Sequence, residues 1–267
     1  MNFAVIGHPI KHSLSPVMHQ ANFDAAHLQH TYIALDIAPQ HFHHIRDIIT
    51  DKTLDGFNVT IPFKSDIISY LDEIDEEAAV IGAVNTVKII DGRWTGYNTD
   101  GSGFVESVSQ NFGWTDLSEL NVLILGAGGA SKGIAYALLM RGANVIVANR
   151  SLHRFDDWSF PVHTIALDAV NDVMTDVDLL INTTPIGMTG FEENVLCDLS
   201  TLKPSAKVAD IIYTPRVTPF LRQAERYSLA VMNGLDMFVN QGAQSFEIWT
   251  EQHADRMVMK SRVIKEL

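Results

Sequence analysis

The sequence predicts an α/β fold built on a parallel sheet, and three features of residues 120–151 support this. An unbroken apolar run at 122–125 is typical of a strand buried on both faces. This run stops at the glycine-rich segment 126–131, and a helix-like segment follows as far as Arg141. A second strand-like run then occupies 143–148. Together they form a strand–helix–strand unit with a glycine turn after its first strand.

The glycine turn predicts a binding site for the pyrophosphate of a dinucleotide. Gly126 permits a tight turn, and Gly128 lets backbone N–H groups approach the ligand. Ser131 stands where a third glycine is usual. Because the turn lies between a buried strand and a helix, dinucleotide binding is favoured over a purely structural turn. The predicted pyrophosphate-binding residues are Gly126, Ala127, Gly128, Gly129 and Ala130.

The residues after the second strand indicate which dinucleotide is bound. NAD enzymes usually place a carboxylate there to accept hydrogen bonds from the ribose 2′-hydroxyl. This chain instead has Asn149, Arg150, Ser151 and Arg154. Two guanidinium groups suit a phosphate. A clamp on the 2′-phosphate of NADP is therefore favoured over two solvated arginines.

Bulk composition excludes several classes of protein. A net charge of −13 argues against a general binder of nucleic acid or of anionic membranes. The single cysteine, Cys197, excludes an internal disulfide. The sequence shows no secretory signal pattern and no apolar run long enough to span a bilayer, so a cytoplasmic location is expected. The length of 267 residues allows two modest domains or one large one, and the order of the predicted elements places a domain boundary near residues 101–117.

Strands and helices also alternate on either side of this unit. Strands are predicted at 2–7, 31–37, 55–60, 81–90, 93–100, 163–167, 177–182, 206–212 and 230–232, with a hairpin at Asp91-Gly92. Helices are predicted from Pro16 and Pro39, from the acidic segment at 71–79, at 101–111 and at 218–227, with an amphipathic helix at 238–249.

Several polar residues have both a structural and a functional interpretation. Ser15 is a plausible N-cap with Pro16 at the first helical position, but Ser13 and Ser15 together could also hold a carboxylate. Pro62 suggests a helix start that places Lys64 in the first helical turn. Lys64 is then either a surface residue or a proton-transfer group whose pKa is lowered there. Asp100 is a good N-cap for the next helix.

Other positions are singled out by where they fall in the predicted elements. Asn85 lies in the middle of a predicted strand, where Asn is depleted. Thr184, Ile211 and Tyr213 follow strand ends, where loops of a doubly wound sheet face the ligand. The residues His41, His43 and His44 lack a convergent set of other ligands, so an exposed helix face is favoured over a metal site.

Taken together, these segments resemble the shikimate dehydrogenase family. They span nearly the whole chain in the expected order, which is far more specific than any one motif. The segments are SLSP at 13–16, NVTIPFK at 58–64, GAVN at 82–85, GYNTD at 96–100, GAGGA at 126–130, NRS at 149–151, NTTPIGM at 182–188 and NGLDMFVNQ at 233–241.

The resemblance implies NADPH-dependent reduction of 3-dehydroshikimate to shikimate, a step towards aromatic amino acids. It implies a substrate domain at 1–101, to which 236–267 return, and a Rossmann-like doubly wound NADP-binding domain at 102–235. The C-terminal helices are then expected to pack on the N-terminal domain. A small-molecule substrate is expected, with no nucleic acid, metal or membrane, in a monomer or homodimer.

The resemblance also assigns roles to individual residues. Lys64 and Asp100 form a catalytic dyad that handles the proton and also contacts substrate. Ser13 and Ser15 bind the substrate carboxylate. The residues that hold hydroxyl or carbonyl oxygens are Thr60, Asn85, Gln241 and Tyr213. Cofactor contacts extend to Glu76, Thr184, Ile211 and Gly234, although nothing in the residues themselves points to Glu76.

Two alternatives to this function remain open. One is a dehydrogenase of broader specificity that accepts quinate or uses NAD, although Arg150 and Arg154 argue against NAD. The other is a non-catalytic NADP-binding regulator that kept the fold, since a fold does not guarantee an activity. The presence of both Lys64 and Asp100 argues against that regulator.

Overall fold

A computed structural model describes residues 1–191 and 196–267 as two compact units. The first unit contains Met1–Thr99 and Val239–Glu266, and the second contains Asp100–Phe238 with Leu267. The C-terminal segment therefore joins the N-terminal unit, as the resemblance predicts. Trp249, for example, donates from its indole nitrogen to the Val87 carbonyl oxygen at 2.9 Å.

The elements are numbered here in chain order. The strands are β1 Asn2–Gly7, β2 Thr31–Asp36, β3 Gly56–Val59, β4 Glu73–Ile74, β5 Thr86–Ile90, β6 Arg93–Tyr97, β7 Asn121–Leu125, β8 Asn144–Asn149, β9 His163–Ala166, β10 Leu179–Asn182, β11 Lys207–Asp210 and β12 Ala230–Met232. The α-helices are α1 Ser15–Ala25, α2 Ile45–Asp51, α3 Glu76–Ile81, α4 Asp100–Phe112, α5 Gly129–Leu139, α6 Pro219–Arg226, α7 Leu235–Thr250 and α8 Arg256–Ile264. Short 3₁₀ helices occupy Pro39–His44, Asp66–Tyr70, Leu152–Phe155, Leu167–Asp172 and Met174–Asp176.

The first unit contains a mixed sheet of order β2-β1-β3-β5-β6-β4. Strand β1 pairs in parallel with β2 and β3, whereas β5 pairs antiparallel with β3 and β6. The predicted hairpin at Asp91-Gly92 is confirmed, since both residues have positive φ, +51° and +77°, as a primed two-residue turn requires. The apolar side chains of β1 and β3 and Val87 of β5 are buried, so the centre of the sheet lies within the core of this unit.

The second unit is the doubly wound sheet that the sequence predicts. All six strands are parallel, in the order β12-β11-β10-β7-β8-β9. Strand β7 is central, and the order reverses direction between β7 and β10, which places a ligand crevice at the carboxyl ends of those strands. The sequence from Val122 to Leu125 is at most 1% exposed, which explains its unbroken apolar character.

One predicted helix cap and one predicted helix start are wrong. Ser15 is not an N-cap: it is the first residue of α1, and Leu14 occupies the cap position without a side-chain hydrogen bond. Pro62 does not open a helix either. Phe63 N donates to Thr60 O at 3.0 Å across a turn in which the Ile61–Pro62 bond is cis, and the following 3₁₀ helix begins only at Asp66. Pro suits both turns and helix starts, so its presence did not distinguish them.

Three predicted element boundaries also need correction. Asn85 is not within a strand, because Gly82 at φ +67° ends α3 and β5 begins at Thr86. Short apolar runs such as 81–84 do not reveal their secondary structure by periodicity alone. The acidic helix begins at Glu76 with Asp75 as its N-cap, rather than near residue 71. Asp100 is the first residue of α4, not its cap.

No helix of the described residues is both long and apolar enough to cross a membrane. The same residues contain no group of three or more His, Cys, Asp or Glu side chains arranged to hold a metal ion. His41, His43 and His44 are exposed on the 3₁₀ helix Pro39–His44. Their exposure agrees with the interpretation of these histidines as a solvated face.

His19 is a buried imidazole in α1 with no hydrogen-bond partner for either ring nitrogen among the described residues. Its ring stacks on Tyr32, with centroids 4.3 Å and planes 6° apart. Because burial disfavours the charged form, the pKa of His19 falls from 6.5 to about 3. The neutral ring is therefore part of the folded core, and protonation opposes folding.

This burial predicts an acid-sensitive contribution to stability. Because the folded pKa of His19 lies below the unfolded value, the stabilising contribution is complete above pH 6.5 and is lost as pH falls towards 3. Between pH 6 and 4, the free energy of unfolding of wild type should fall relative to His19→Phe by up to about 1.4 kcal/mol per pH unit. Urea denaturation of both proteins across this range measures the difference.

His41→Phe is the control, because it removes a histidine that is exposed rather than buried. Parallel pH profiles for wild type and His19→Phe would contradict the burial of a neutral imidazole at position 19.

Candidate functional site

The first unit contains a buried hydrogen-bond network centred on Asn58 of β3. The Asn58 side-chain oxygen accepts from the Tyr32 hydroxyl at 2.7 Å. Its amide nitrogen lies 3.0 Å from the Asn85 carbonyl oxygen, 3.2 Å from Thr86 Oγ1 and 2.9 Å from Ser245 Oγ. The Asn85 carbonyl can only accept, so the orientation of the Asn58 amide is fixed. One side chain thus connects β2, β3, the start of β5 and α7.

The same network continues to two predicted substrate-binding residues, Asn85 and Gln241. Asn85 Oδ1 accepts from Thr99 N at 2.9 Å and from Thr86 Oγ1 at 3.0 Å. Asn85 Nδ2 donates to Thr99 Oγ1 at 2.9 Å and to Gln241 Oε1 at 3.4 Å. Thr99 Oγ1 also donates to the Gln241 carbonyl oxygen at 3.0 Å. The structure therefore brings Asn85 and Gln241 together, with Thr99 between them.

Ser13 and Ser15 lie at the start of α1. Ser15 N donates to Ser13 Oγ at 3.3 Å, so Ser13 rather than Ser15 accepts from the first turn of the helix. Burial raises the pKa of the Tyr32 phenol well above its usual value, and a hydrogen bond from the Ser15 hydroxyl opposes this shift. Through Tyr32, the serine pair is connected to Asn58 and hence to the same network.

Thr60 and Lys64 lie on the turn that follows β3. Thr60 N donates to Ile6 O at 2.9 Å, and the Lys64 carbonyl oxygen accepts from Val84 N at 2.7 Å. These backbone bonds place the turn next to the segment that leads to Asn85. The helix-dipole argument for Lys64 is wrong, because the residue is not in a helical first turn. Glu76 is exposed at the start of α3, in the same unit.

Asp100 belongs to the second unit and is the first residue of α4. It follows Thr99 directly in the chain, and its side chain is buried. Its assignment to a dyad with Lys64 stays a prediction.

The glycine turn of the second unit is open where a pyrophosphate would approach. Gly126 has φ +110°, and a Cβ there would lie 2.7 Å from Thr183 Oγ1, so only glycine suits this position. A Cβ on Gly128 would meet nothing within 4 Å, so packing does not require this glycine. Gly128 is the N-cap of α5, whose first backbone N–H groups can receive an anion.

Ser131 occupies the position of the missing third glycine. It is fully buried, and its hydroxyl donates to Gly126 O at 2.6 Å, so the side chain helps close the turn. A third glycine often allows a helix to pack closely against its neighbour. In this chain the close approach is between α4 and α5, because a Cβ on Gly101 would lie 2.2 Å from Gly133 O. Ala127, Gly129 and Ala130 complete the turn and the start of α5.

Two arginines are exposed in the loop after β8. Asn149 Nδ2 donates to Ser151 O at 2.9 Å, and Arg154 N donates to the same oxygen at 3.2 Å, which fixes the loop backbone. The guanidinium groups of Arg150 and Arg154 have no ion-pair partner among the described residues. Both side chains are therefore available to an anion from solution, and the clamp on a 2′-phosphate stays a prediction.

The loops after β10, β11 and β12 carry the other predicted cofactor contacts of the second unit. Thr184 N and Oγ1 both donate to Asn182 Oδ1, at 2.9 and 2.8 Å. A Cβ on Gly234 would lie 1.8 Å from Ile211 O, so glycine is required beside that loop. Tyr213 stacks on Phe238 at 4.6 Å, and burial raises the pKa of its phenol to about 12.

Asp210, at the end of β11, fixes the loop that bears Tyr213. Its carboxylate accepts from Thr218 Oγ1 at 2.7 Å, Ile212 N at 3.0 Å and Asn182 Nδ2 at 3.1 Å. Burial raises the pKa of this carboxyl group to about 6, while these hydrogen bonds oppose the shift.

Sequence reasoning missed several residues of these sites, above all Asn58, Thr99 and Tyr32. Asn58 carried a usable signal, since an Asn within a strand rich in apolar residues is unfavourable unless its amide is satisfied. Thr99 and Tyr32 carried none, because Thr and Tyr are ordinary strand residues. Their roles depend on which segments pack together.

Comparison with known proteins identifies the family. Three family models match: the shikimate dehydrogenase substrate binding domain at residues 5–87, shikimate / quinate 5-dehydrogenase at 106–227, and the shikimate 5′-dehydrogenase C-terminal domain at 234–264. A curated relative, shikimate dehydrogenase (NADP(+)) of Staphylococcus aureus (strain bovine RF122 / ET3-1), is 51% identical over 100% of this chain and 99% of its own length.

Solved structures give the same result. Shikimate 5-dehydrogenase from Thermus thermophilus, in complex with NADP(H) and shikimate, has a TM-score of 0.87 at 32% identity, covering 100% of both chains. Quinate dehydrogenase from Corynebacterium glutamicum, in complex with NAD, has a TM-score of 0.90 at 28% identity, covering 99% of both chains. The full-length match at 51% identity establishes that this chain belongs to the shikimate dehydrogenase family.

Proposed function

We propose that this chain is an NADP-dependent shikimate dehydrogenase, which reversibly reduces 3-dehydroshikimate to shikimate in the pathway to aromatic amino acids. The observation that carries the proposal is the pre-formed cluster of Asn85, Thr99 and Gln241, whose amide and hydroxyl groups suit a small polyhydroxylated ligand. The full-length similarity to a curated shikimate dehydrogenase (NADP(+)) supports it.

The first unit is proposed to bind the substrate. Ser13 and Ser15 are assigned to the carboxylate, near the N-terminal end of α1, where the helix dipole favours a negative charge. Thr60, Asn85 and Gln241 are assigned to hydroxyl or carbonyl oxygens. Tyr213, from the second unit, is proposed to assist them.

The second unit is proposed to bind NADP. The glycine turn at 126–130 holds the pyrophosphate through backbone N–H groups. The loop of Asn149, Arg150, Ser151 and Arg154 holds the 2′-phosphate. These local groups are needed because the protein's overall charge of −13 does not attract an anion. Further contacts are assigned to Thr184, Ile211 and Gly234. The assignment of Glu76 as a cofactor contact has the least support, because α3 belongs to the first unit.

Lys64 and Asp100 are proposed to handle the proton. Bound NADPH supplies a hydride to the ketone carbon, and the oxygen then needs a proton. The Lys64 ammonium can donate that proton and stabilise the developing negative charge. Asp100 is proposed to orient Lys64 and to accept a hydrogen bond from a substrate hydroxyl.

The domain limits inferred from sequence, 1–101 with 236–267 and 102–235, stay proposals beside the two units described above. A small-molecule substrate, without nucleic acid or membrane, is proposed as the ligand of the chain. The monomeric or homodimeric state and the cytoplasmic location also stay predictions.

A second candidate is a dehydrogenase that also accepts quinate. The structural similarity to a quinate dehydrogenase, at a TM-score of 0.90, supports this second candidate. An assay that monitors substrate oxidation by nicotinamide absorbance separates the candidates. It is run with all four pairs of shikimate or quinate with NADP or NAD. We expect fast turnover for shikimate with NADP only. Comparable turnover of quinate would establish the broader activity, and NADP binding without turnover would favour a regulator.

Lys64→Ala should lower kcat by about 10²–10⁴-fold, the usual contribution of a positioned proton donor. The Kd for NADP should change little, because the glycine turn and the arginine loop lie in the other unit. Steady-state kinetics and calorimetry measure the two effects. Lys52→Ala removes an exposed lysine of the same unit and should leave both values unchanged. Near-normal turnover of Lys64→Ala would show that Lys64 is not the proton donor.

A further inference from the structure

Lys132 is a buried lysine in α5, the helix that follows the glycine turn. Its side chain is 5% exposed, whereas that of its partner Asp157 is 70% exposed. The ammonium donates to Asp157 Oδ2 at 2.8 Å and to Asp157 O at 3.4 Å. Both hydrogen bonds that it makes among the described residues therefore go to one residue.

This pair couples the position of a loop to the helix. Taking a lysine ammonium out of water is costly unless a counter-charge and hydrogen bonds accompany it. Asp157 supplies both through its carboxylate and its backbone carbonyl. If the segment around Asp157 moved away, Lys132 would lose these two hydrogen bonds. The ion pair thus favours one placement of that segment against α5.

A chain of aromatic contacts fixes the same segment to the same helix. The ring of Tyr136 in α5 lies 5.3 Å from Phe160, which lies 5.2 Å from Trp158. Trp158 in turn lies 5.3 Å from Phe155. Phe155 directly follows Arg154, so the aromatic chain and the ion pair both hold the residues after that arginine.

We propose that Lys132 and Asp157 are positioning residues that set the preference for NADP over NAD. They hold the 3₁₀ helix Leu152–Phe155 in the place where Arg154 meets the 2′-phosphate. This inference rests on the proposed binding of NADP.

The pair is expected to affect only the phosphate-dependent part of cofactor binding. NAD and NADP differ only in the 2′-phosphate, and the pyrophosphate and the rest of the cofactor are assigned to the glycine turn and other loops. A displaced Arg154 would therefore weaken NADP and leave NAD nearly unchanged. A general loss of folding would instead weaken both cofactors.

The test measures kcat/KM for NADP and for NAD with shikimate, together with calorimetric Kd values of both cofactors. The variants are Lys132→Met and Asp157→Ala, and Arg154→Ala sets the scale for direct loss of the arginine. We expect the NADP-to-NAD ratio to fall about tenfold in both pair variants, equivalent to the loss of one good hydrogen bond to a charged group. Lys132→Arg should restore much of it, because the charge remains.

Lys203→Met is the matched control, since it removes another ion pair of the same unit, Lys203 with Asp178 at 2.6 Å. This variant should leave the ratio unchanged. Asp157 is exposed, so Asp157→Ala should not impair folding. This variant therefore still tests the ion pair if Lys132→Met does not fold.

An unchanged ratio in Asp157→Ala, or equal losses for both cofactors, would overturn the positioning role. Wild-type protein that binds NADP without turning over shikimate would overturn the proposed catalysis only, because the Kd ratio still tests the pair. Wild-type protein with no preference for NADP would overturn both the cofactor assignment and this inference.

Discussion

The amide of Asn58 is the interaction on which the first unit most depends. It is buried within a sheet, and its hydrogen bonds join its own strand to three other segments of the chain, which contribute Tyr32, the adjacent residues Asn85 and Thr86, and Ser245. A buried amide left without partners costs about 1–3 kcal/mol, so the four segments are held in one arrangement. Ser245 belongs to α7, so this amide also holds the returning C-terminal helix on the N-terminal sheet. Because such networks are satisfied only as a whole, the polar groups of Asn85 and Gln241 are oriented before any ligand arrives.

The two units recognise their proposed ligands by different physical means. The first unit offers mainly uncharged amide and hydroxyl groups in a buried network, which suits the hydroxyl groups of a small polar substrate. The second unit offers backbone N–H groups at Gly128 and Gly129 and two exposed guanidinium groups, which suit phosphate oxygens. In a chain of net charge −13, binding of an anionic cofactor depends on these local groups rather than on the overall field.

The sequence was most informative where local chemistry determines local structure. The strand, glycine turn and helix at 121–139 could be predicted from residue type. Burial on both faces selects apolar residues, and a positive φ and the start of the helix select glycine. The hairpin at Asp91-Gly92 was predictable for the same reason. Pro62 was misleading because proline suits a turn as well as a helix start. The hydrogen bonds of Asn58 to Ser245 and of Thr99 to Gln241 could not be predicted, because they join residues more than a hundred positions apart. Residue chemistry alone left the functional interpretation of Ser13 and Lys64 open and gave Gln241 none, and the roles proposed for all three come from the resemblance to a family.

We infer that the hydrogen-bond network of Asn58 orients the proposed substrate-binding groups before substrate binds. Crystal structures of the free protein and of its shikimate complex, at a resolution that defines amide orientations through their hydrogen bonds, test it most directly. We expect Asn58, Asn85 and Gln241 to keep the same rotamers and the same mutual hydrogen bonds in both structures. A free protein in which Asn85 and Gln241 adopt other rotamers, and reach this arrangement only with shikimate bound, would contradict it.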